Sequence, residues 1–230
     1  MDKISKSTFG TFSKCNRAYY YSQLGFEIKP NKYMQYGSDF HELLEKYNKI
    51  EISDYEKPQK TIKVPEKFKV QFDNYIKIIS KLKSEGWRIQ ATEIRLSYEN
   101  ITGIIDLVMT KEDKYLIVDF KTIPRFNQFD ASKYEPEMLI YSYLFEKSNN
   151  INTNNIELAI FRFEQEGENY DINYIENDVL KRHFWIESVN LMHEKITKSI
   201  GSIKDFPKID INNKGFVCKY CDFFDICIKE

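Results

Sequence analysis

The chain lacks the features that mark membrane, secreted and disordered proteins. No stretch approaches the ~20 consecutive apolar residues that a membrane-spanning helix needs. Its opening residues, MDKISKSTFG, lack the apolar core of a secretion signal. Glycine and proline are scarce, with 8 and 6 residues, and there is no internal repeat or low-complexity segment, so the composition excludes a flexible linker or a disordered chain. We therefore expect a cytoplasmic protein with no membrane partner.

An excess of charge of one sign is also missing. The 34 Lys and Arg residues nearly balance the 35 Asp and Glu residues, and the formal net charge is −1. This balance does not by itself indicate nucleic-acid binding, so a basic groove would need an uneven distribution of charge. Hydrophobic residues, by contrast, make up 42% of the 230 residues and aromatic residues 15%. This is enough for one sizeable core, and we expect a single domain over residues 1–230.

Cysteine is scarce, but its placement is informative. Three cysteines form a C-x2-C-x5-C pattern near one end of the chain and the fourth lies near the other: Cys218, Cys221, Cys227 and Cys15. In a reducing cytoplasm, clustered cysteines bind metal more often than they form disulfides. Four thiolates suit either a tetrahedral zinc ion or a cubane iron–sulfur cluster. The close spacing of the triplet argues against independent buried thiols.

The most informative stretch is residues 103–122, GIIDLVMTKEDKYLIVDFKT. Apolar runs on both sides of a charged break predict two strands joined by a short turn. Three ionisable residues interrupt the apolar runs: Asp106, Asp119 and Lys121. Because side chains alternate along a strand, Asp119 and Lys121 point to the same face. Two carboxylates beside one ammonium suit a hard divalent cation and a nearby developing negative charge; a structural Asp–Lys ion pair is the alternative.

Hydrophobic periodicity predicts the remaining helices and strands of the chain, which together are expected to form an α/β fold. Ser5–Gln23 is expected to be helical, with Phe12, Cys15 and Tyr19 on one helix face. Glu93 in the first strand is either a further active-site acid or a solvent-facing residue. The expected helices are Met34–Ile50, Pro65–Glu85, about Pro136 to Lys147, and Asp178–Ile200, and the expected strands are Ala91–Tyr98, Ile156–Phe163 and Tyr170–Tyr174.

Together these elements resemble the PD-(D/E)xK nuclease superfamily, in its iron–sulfur branch of RecB-like and AddB-like nuclease domains and stand-alone CRISPR-associated exonucleases. The resemblance covers nearly the whole chain, and the motifs occur in the family's order. Each motif alone is weak, but the ordered set with all four cysteines is specific. The matching residues are Ser5, Ser7, Phe12 and Cys15; His41; Gly103 and Asp106; Asp119 and Lys121; Tyr141; and the C-x2-C-x5-C cysteines.

The resemblance implies roles for these residues. It implies that a Mg²⁺ or Mn²⁺ ion is held by His41, Asp106, Asp119 and the backbone carbonyl of Phe120. Lys121 would position or activate the attacking water and stabilise the charged phosphorane, so Asp106, Asp119 and Lys121 form the catalytic set. The resemblance also implies a [4Fe–4S] cluster on Cys15, Cys218, Cys221 and Cys227. The lobe that holds this cluster would be formed by residues from about 1–30 and 206–230. It would lie beside a restriction-endonuclease-like core, which is an α/β fold with a mixed central sheet flanked by helices.

One motif departs from the family pattern. The family's Gln-x-x-x-Tyr sequence, which binds the DNA backbone, appears here as Glu137-x-x-x-Tyr141. The resemblance implies that Tyr141 helps to bind DNA. A carboxylate at position 137 would repel phosphate unless it meets a metal ion or a cation, so the DNA contact of Glu137 is the least supported of these roles.

The function implied by the resemblance is that of a Mg²⁺- or Mn²⁺-dependent DNA nuclease. We expect an exonuclease rather than an endonuclease, acting on single-stranded DNA in DNA repair, recombination or CRISPR spacer acquisition. Recombination or CRISPR adaptation proteins are the expected partners. Two alternatives remain: a catalytically degenerate iron–sulfur module that binds DNA or a partner, and a zinc-stapled protein of unrelated function.

Overall fold

The computed structural model describes residues 3–26, 30–53, 62–125, 131–199, 201–209, 217–218 and 221–229. The chain divides into two compact units. The core unit comprises Pro30–Tyr98 and Gly103–Trp185. The terminal unit comprises Met1–Lys29, Glu99–Thr102 and Ile186–Glu230. The assignment of residues 1–230 to one domain stays a prediction.

A five-stranded sheet, with its strands in chain order, forms the centre of the core unit. Strands β2 and β3 pair antiparallel, β3 and β4 pair parallel, and β4 and β5 pair antiparallel. The sheet is therefore mixed, and the hairpin expected over residues 103–122 is confirmed. The strand bounds are β1 Arg88–Tyr98, β2 Ile101–Lys111, β3 Lys114–Ile123, β4 Ile156–Glu164 and β5 Tyr170–Ile175.

Helices cover both faces of this sheet. On one face, Phe40 and Tyr75 belong to an apolar cluster that includes Phe120 of β3. On the other face, Met138 belongs to a cluster that includes Ile117 of β3. Burial on both faces explains why β2, β3 and β4 are nearly continuous apolar runs. The described helices are α1 Lys6–Lys14, α2 Asn16–Gln23, α3 Lys32–Ser53, α4 Lys69–Ser84, α5 Glu135–Asn149, α6 Val179–Lys198 and α7 Phe224–Cys227.

The alternation of β3 determines where its charged residues lie. Val118 and Phe120 belong to the cluster on the α3 and α4 side, whereas Ile117 belongs to the cluster on the α5 side. Asp119 and Lys121 follow Ile117 at two-residue steps, so both belong to the α5 face. Two charged side chains thus lie beside the first turn of α5.

The terminal unit joins residues from the two ends of the chain. The rings of Tyr19 and Tyr20 lie 5.7 and 5.4 Å from the ring of Phe206. The Arg17 side chain donates a 2.6 Å hydrogen bond from Nε to the Phe206 carbonyl. The ring of Tyr21 lies 5.8 Å from that of Phe223. Aromatic packing and a buried guanidinium therefore connect α2 to the chain that follows α6.

The local structure corrects the expectation of one helical segment over Ser5–Gln23. Cys15 is extended, with φ −162° and ψ 116°, and it separates α1 from α2. Cys15 therefore does not share a helix face with Phe12 and Tyr19, although those two rings meet edge to face at 5.4 Å.

Within the described ranges, no helix combines the length and the apolarity needed to span a bilayer. Ile200, the expected end of the last long helix, lies outside those ranges.

Candidate functional site

Asp106 lies at the position where β2 stops pairing with β3. The paired register begins at Leu107, which lies opposite Val118. Beyond it, the Asp106 carboxylate accepts a 2.7 Å hydrogen bond from the backbone N–H of Phe120. The Asp106 carbonyl accepts a 2.8 Å bond from the Thr92 hydroxyl of β1. Hydrogen bonds from β1 and β3 therefore hold the backbone and the carboxylate of Asp106, a residue that is only 8% exposed.

Helix α3 brings His41 to this carboxylate. Gly37, one helical turn earlier, lies so close to β3 that a Cβ atom there would be 3.0 Å from the Thr122 hydroxyl oxygen. Because residues four apart share a helix face, His41 also faces the sheet. Its Nδ1 lies 3.4 Å from Asp106 Oδ2. Burial opposes protonation of His41, but Asp106 and Asp119 outweigh it and raise the pKa of the imidazole.

Glu93 of β1 joins His41 and Asp106. The ligand atoms of these three side chains lie within 4.8 Å of one another, and in the part of the chain that the structure describes they are the one such group. Glu93 has a φ of +50°, a left-handed conformation that is uncommon for glutamate. The two-residue period of a strand does not reveal such a backbone conformation, so the sequence left the role of Glu93 open. Burial, helped by the negative charge of Asp106, raises the pKa of Glu93 to about 7.

Asp119 and Lys121 form an ion pair, as their shared strand face predicts. Asp119 is 2% exposed and the Lys121 side chain 15%. Burial opposes the charge of Lys121, but Asp119 and Glu137 outweigh it and hold the pKa of the ammonium above its usual range. The group formed by His41, Glu93 and Asp106 does not include Asp119. The part of Asp119 in binding a metal ion therefore stays a prediction.

Helix α5 adds Glu137 and Tyr141 next to Lys121. Glu137 Oε2 lies 3.4 Å from Lys121 Nζ, and Glu137 Oε1 accepts a 3.0 Å hydrogen bond from the Tyr141 hydroxyl. Gly103 allows Tyr141 to pack closely, because a Cβ atom there would lie 2.9 Å from Tyr141 Cε1. The carboxylate at position 137 therefore meets a cation. DNA contacts of Tyr141 and Glu137 stay predictions.

These donors fit a hard divalent cation. Two carboxylates and an imidazole are ligands that Mn²⁺ accepts, and Mg²⁺ prefers the oxygens among them. The N–H and C=O groups of one strand residue point to the same neighbouring strand. The Phe120 carbonyl is thus expected to face β2, as its N–H does when it bonds Asp106. A ligand role for this carbonyl stays a prediction.

The four cysteines line one cavity of about 560 Å³ in the terminal unit. None of the four forms a disulfide in the described structure, and each is half-buried. Burial and the nearby charges of the other three cysteines raise the pKa of Cys221. Lys208 donates a 2.5 Å hydrogen bond to the Cys227 carbonyl at the same cavity. The expected gathering of Cys15 with Cys218, Cys221 and Cys227 therefore occurs, while the group that they bind stays a prediction.

Comparison with known proteins gives a family and a fold. The model of the PD-(D/E)XK nuclease superfamily matches residues 3–228. No curated protein matches the chain. A solved structure from Eubacterium rectale, named as a candidate exonuclease, has 13% identity and a TM-score of 0.53, over 86% of this chain and 80% of that chain. The alkaline exonuclease of Laribacter hongkongensis has 9% identity and a TM-score of 0.41, over 85% and 94%.

Proposed function

Because the chain belongs to the PD-(D/E)XK nuclease superfamily, we propose that it is a Mg²⁺- or Mn²⁺-dependent deoxyribonuclease. The observation that carries the proposal is the convergence of His41, Glu93 and Asp106, whose ligand atoms lie within 4.8 Å of one another. The Asp119–Lys121 ion pair follows in the next strand of the sheet. Phosphodiester hydrolysis requires a metal site with acidic ligands and a nearby positive charge, and a nearly buried ammonium supplies that charge.

Each residue would supply a distinct part of this chemistry. When bound, the divalent cation supplies a nucleophilic water near neutral pH and relieves the charge of the scissile phosphate. His41, Asp106 and Asp119 would hold the cation, with Glu93 and the Phe120 carbonyl as further donors. Lys121 would place a fixed positive charge where negative charge develops. Its side chain is 15% exposed, and a charge shielded from water in this way acts more strongly.

The substrate and setting are narrower proposals. The name of the Eubacterium rectale protein, with which this chain shares its fold, supports an exonuclease. The resemblance of the sequence motifs to the iron–sulfur branch of the superfamily supports single-stranded DNA as the substrate. It also supports DNA repair, recombination or CRISPR spacer acquisition in the cytoplasm as the setting.

The terminal unit would hold a [4Fe–4S] cluster on Cys15, Cys218, Cys221 and Cys227. The support is that all four thiols line one cavity, and that they come from both ends of the chain. Cubane clusters take four thiolates, but so does zinc. The cluster has no evident part in phosphodiester hydrolysis, so its role would be structural.

The experiment is a cleavage assay with end-labelled single-stranded DNA and Mn²⁺, on protein purified without oxygen. We expect the native protein to release label from linear strands and to leave circular strands intact. Asp119→Ala should be inactive, whereas Asp113→Ala, at an exposed aspartate in the turn between β2 and β3, should cleave like the native protein. Cleavage of circular strands would show that the protein is an endonuclease and not an exonuclease.

The second candidate is a DNA-binding module without catalysis. The observation that favours it is the acid at position 137, where the family has an amide. The test is whether native protein that retains its metal at the cysteines binds DNA but cleaves no strand with either Mg²⁺ or Mn²⁺. That result would support the DNA-binding module over the nuclease.

A further inference from the structure

The Lys121 ammonium has anionic partners on two different elements. Asp119 lies two residues away on β3 and pairs with it directly. Glu137 on α5 places Oε2 3.4 Å from Lys121 Nζ. The ring of Tyr134, in the turn before α5, lies 5.0 Å from Nζ, a cation–π distance. Lys121 is therefore held from the strand, the turn and the helix.

Glu137 is itself held in place. It is 6% exposed, and its other oxygen accepts the hydrogen bond from the Tyr141 hydroxyl at 3.0 Å. The two residues are four apart on α5, so they share a helix face. Tyr141 in turn packs against Gly103 of β2, the strand that carries Asp106. A chain of contacts thus runs from the strand of one predicted metal ligand, through Tyr141 and Glu137, to Lys121.

Glu137 gives Lys121 a second anionic partner besides Asp119, and this partner matters when a metal ion is bound nearby. If Asp119 binds a divalent cation, its negative charge is committed to that cation, and the cation repels the nearby ammonium. The two oxygens of Glu137 contact Lys121 Nζ and the Tyr141 hydroxyl. Its charge therefore remains directed at Lys121 when the metal site is filled. A glutamine at position 137 could accept a hydrogen bond but would carry no charge.

We propose that Glu137, held by Tyr141, is a positioning residue that keeps Lys121 in place for phosphodiester hydrolysis. It acts through Lys121 and makes no contact with DNA. This inference rests on the proposed nuclease function. It also accounts for the acid in the Glu137-x-x-x-Tyr141 motif, since a carboxylate is the stronger partner for a buried ammonium.

The test is Glu137→Gln, which restores the family's amide. We expect kcat to fall about 10- to 100-fold, as when a supporting partner of a reacting group is lost, while KM and the DNA affinity measured in EDTA stay within about twofold.

The control is Glu135→Gln in the same helical turn. The partner of Glu135 is Lys181, which lies 2.8 Å away and is half-exposed, so this variant should behave like the native protein. If Glu137 instead faces phosphate, the amide will tighten DNA binding and leave kcat unchanged or higher, which overturns the proposal.

A second readout does not need activity. In metal-depleted protein, Glu137→Gln should lower the urea midpoint in the native background and by clearly less in a Lys121→Met background, because the partner is then missing. Equal shifts of the urea midpoint in the two backgrounds would contradict the role of Glu137 in holding Lys121. A native protein that cleaves no DNA would contradict the proposed nuclease function instead, so the two failures are distinguishable.

Discussion

The backbone N–H of Phe120 donates a 2.7 Å hydrogen bond to the Asp106 carboxylate, just beyond the last paired residues of β2 and β3. A side chain thus takes the place of a backbone partner at the end of the ladder. Because Phe120 lies between Asp119 and Lys121, this single bond fixes Asp106 relative to both. Placement on strands, rather than on loops, gives the precision that a metal-dependent site requires.

Glu93→Gln should weaken the binding of Mn²⁺. The substitution removes one charged oxygen from the group of three ligands, and we expect the affinity to fall by at least about tenfold. The measurement is calorimetric titration of protein depleted of divalent ions. Glu99→Gln is the matched control, since Glu99 also has a left-handed φ, of +48°, but is exposed in the turn after β1. An unchanged affinity in Glu93→Gln would remove Glu93 from the site.

Gly103→Ala should destabilise the core unit. The added Cβ would lie 2.9 Å from Tyr141 Cε1 and 3.0 Å from Leu144 Cδ1, both of them buried. Overpacking of this kind costs about 1–3 kcal/mol, which urea unfolding can measure. Gly10→Ala in α1 is the control, because nothing lies within 4 Å of its added Cβ. It should leave stability unchanged or raise it by up to about 1 kcal/mol. Equal effects at both positions would contradict the close contact.

The pair of Arg182 and Glu146 should contribute to stability in a pH-dependent way. Arg182 lies 2.8 Å from Glu146 and is 7% exposed. Burial acts to raise the pKa of Glu146, but Thr153, Lys147 and Arg182 outweigh it and lower that pKa. Because the folded pKa lies below the unfolded value of about 4.3, the carboxylate stabilises the fold above that pH and loses this contribution as the pH falls.

Glu146→Gln should therefore lower the free energy of unfolding at pH 7, by about 1–3 kcal/mol for a buried guanidinium left without its charged partner. The difference between the variant and the native protein should shrink as the pH falls below about 4. Urea unfolding across this pH range is the measurement. A difference that stays constant with pH would show that the charge of Glu146 is not responsible.

Cys15→Ser and Cys221→Ser should have the same effect on the bound metal, although the two residues come from opposite ends of the chain. Both line the same cavity, so each variant should lose iron and inorganic sulfide together. Visible absorbance and metal analysis of anaerobically purified protein make the measurement, because zinc has no redox chemistry or d–d transitions to give colour. If the native protein contains zinc and no inorganic sulfide, the four cysteines hold a zinc ion and not an iron–sulfur cluster.

Part of the fold and of the site could be predicted from local patterns. The two-residue alternation from Ile117 to Lys121 fixed the shared face of Asp119 and Lys121, because the period of a strand is a local property. The apolar runs around the turn at Glu112 predicted the hairpin in the same way. The resemblance to the superfamily followed from the order of the sequence motifs, and that resemblance implied the mixed sheet.

Other features depend on long-range contacts that no local pattern contains. Glu93 has a left-handed φ within the continuous strand β1. Cys15 interrupts a stretch whose aromatic spacing favours one continuous helix. The partnership of Glu137 with Lys121 depends on how α5 packs on β3. In each case tertiary packing overrides, or adds to, the local preference.

The most direct measurement is anomalous scattering from crystals soaked in Mn²⁺. We expect one strong Mn²⁺ peak, separate from any iron at the four cysteines, in contact with His41, Asp106 and Asp119, with Glu93 within reach. The same peak should be absent from Asp106→Asn crystals soaked in the same way. Mn²⁺ bound elsewhere on the chain, with no peak among these side chains, would contradict a metal-dependent nuclease at this site.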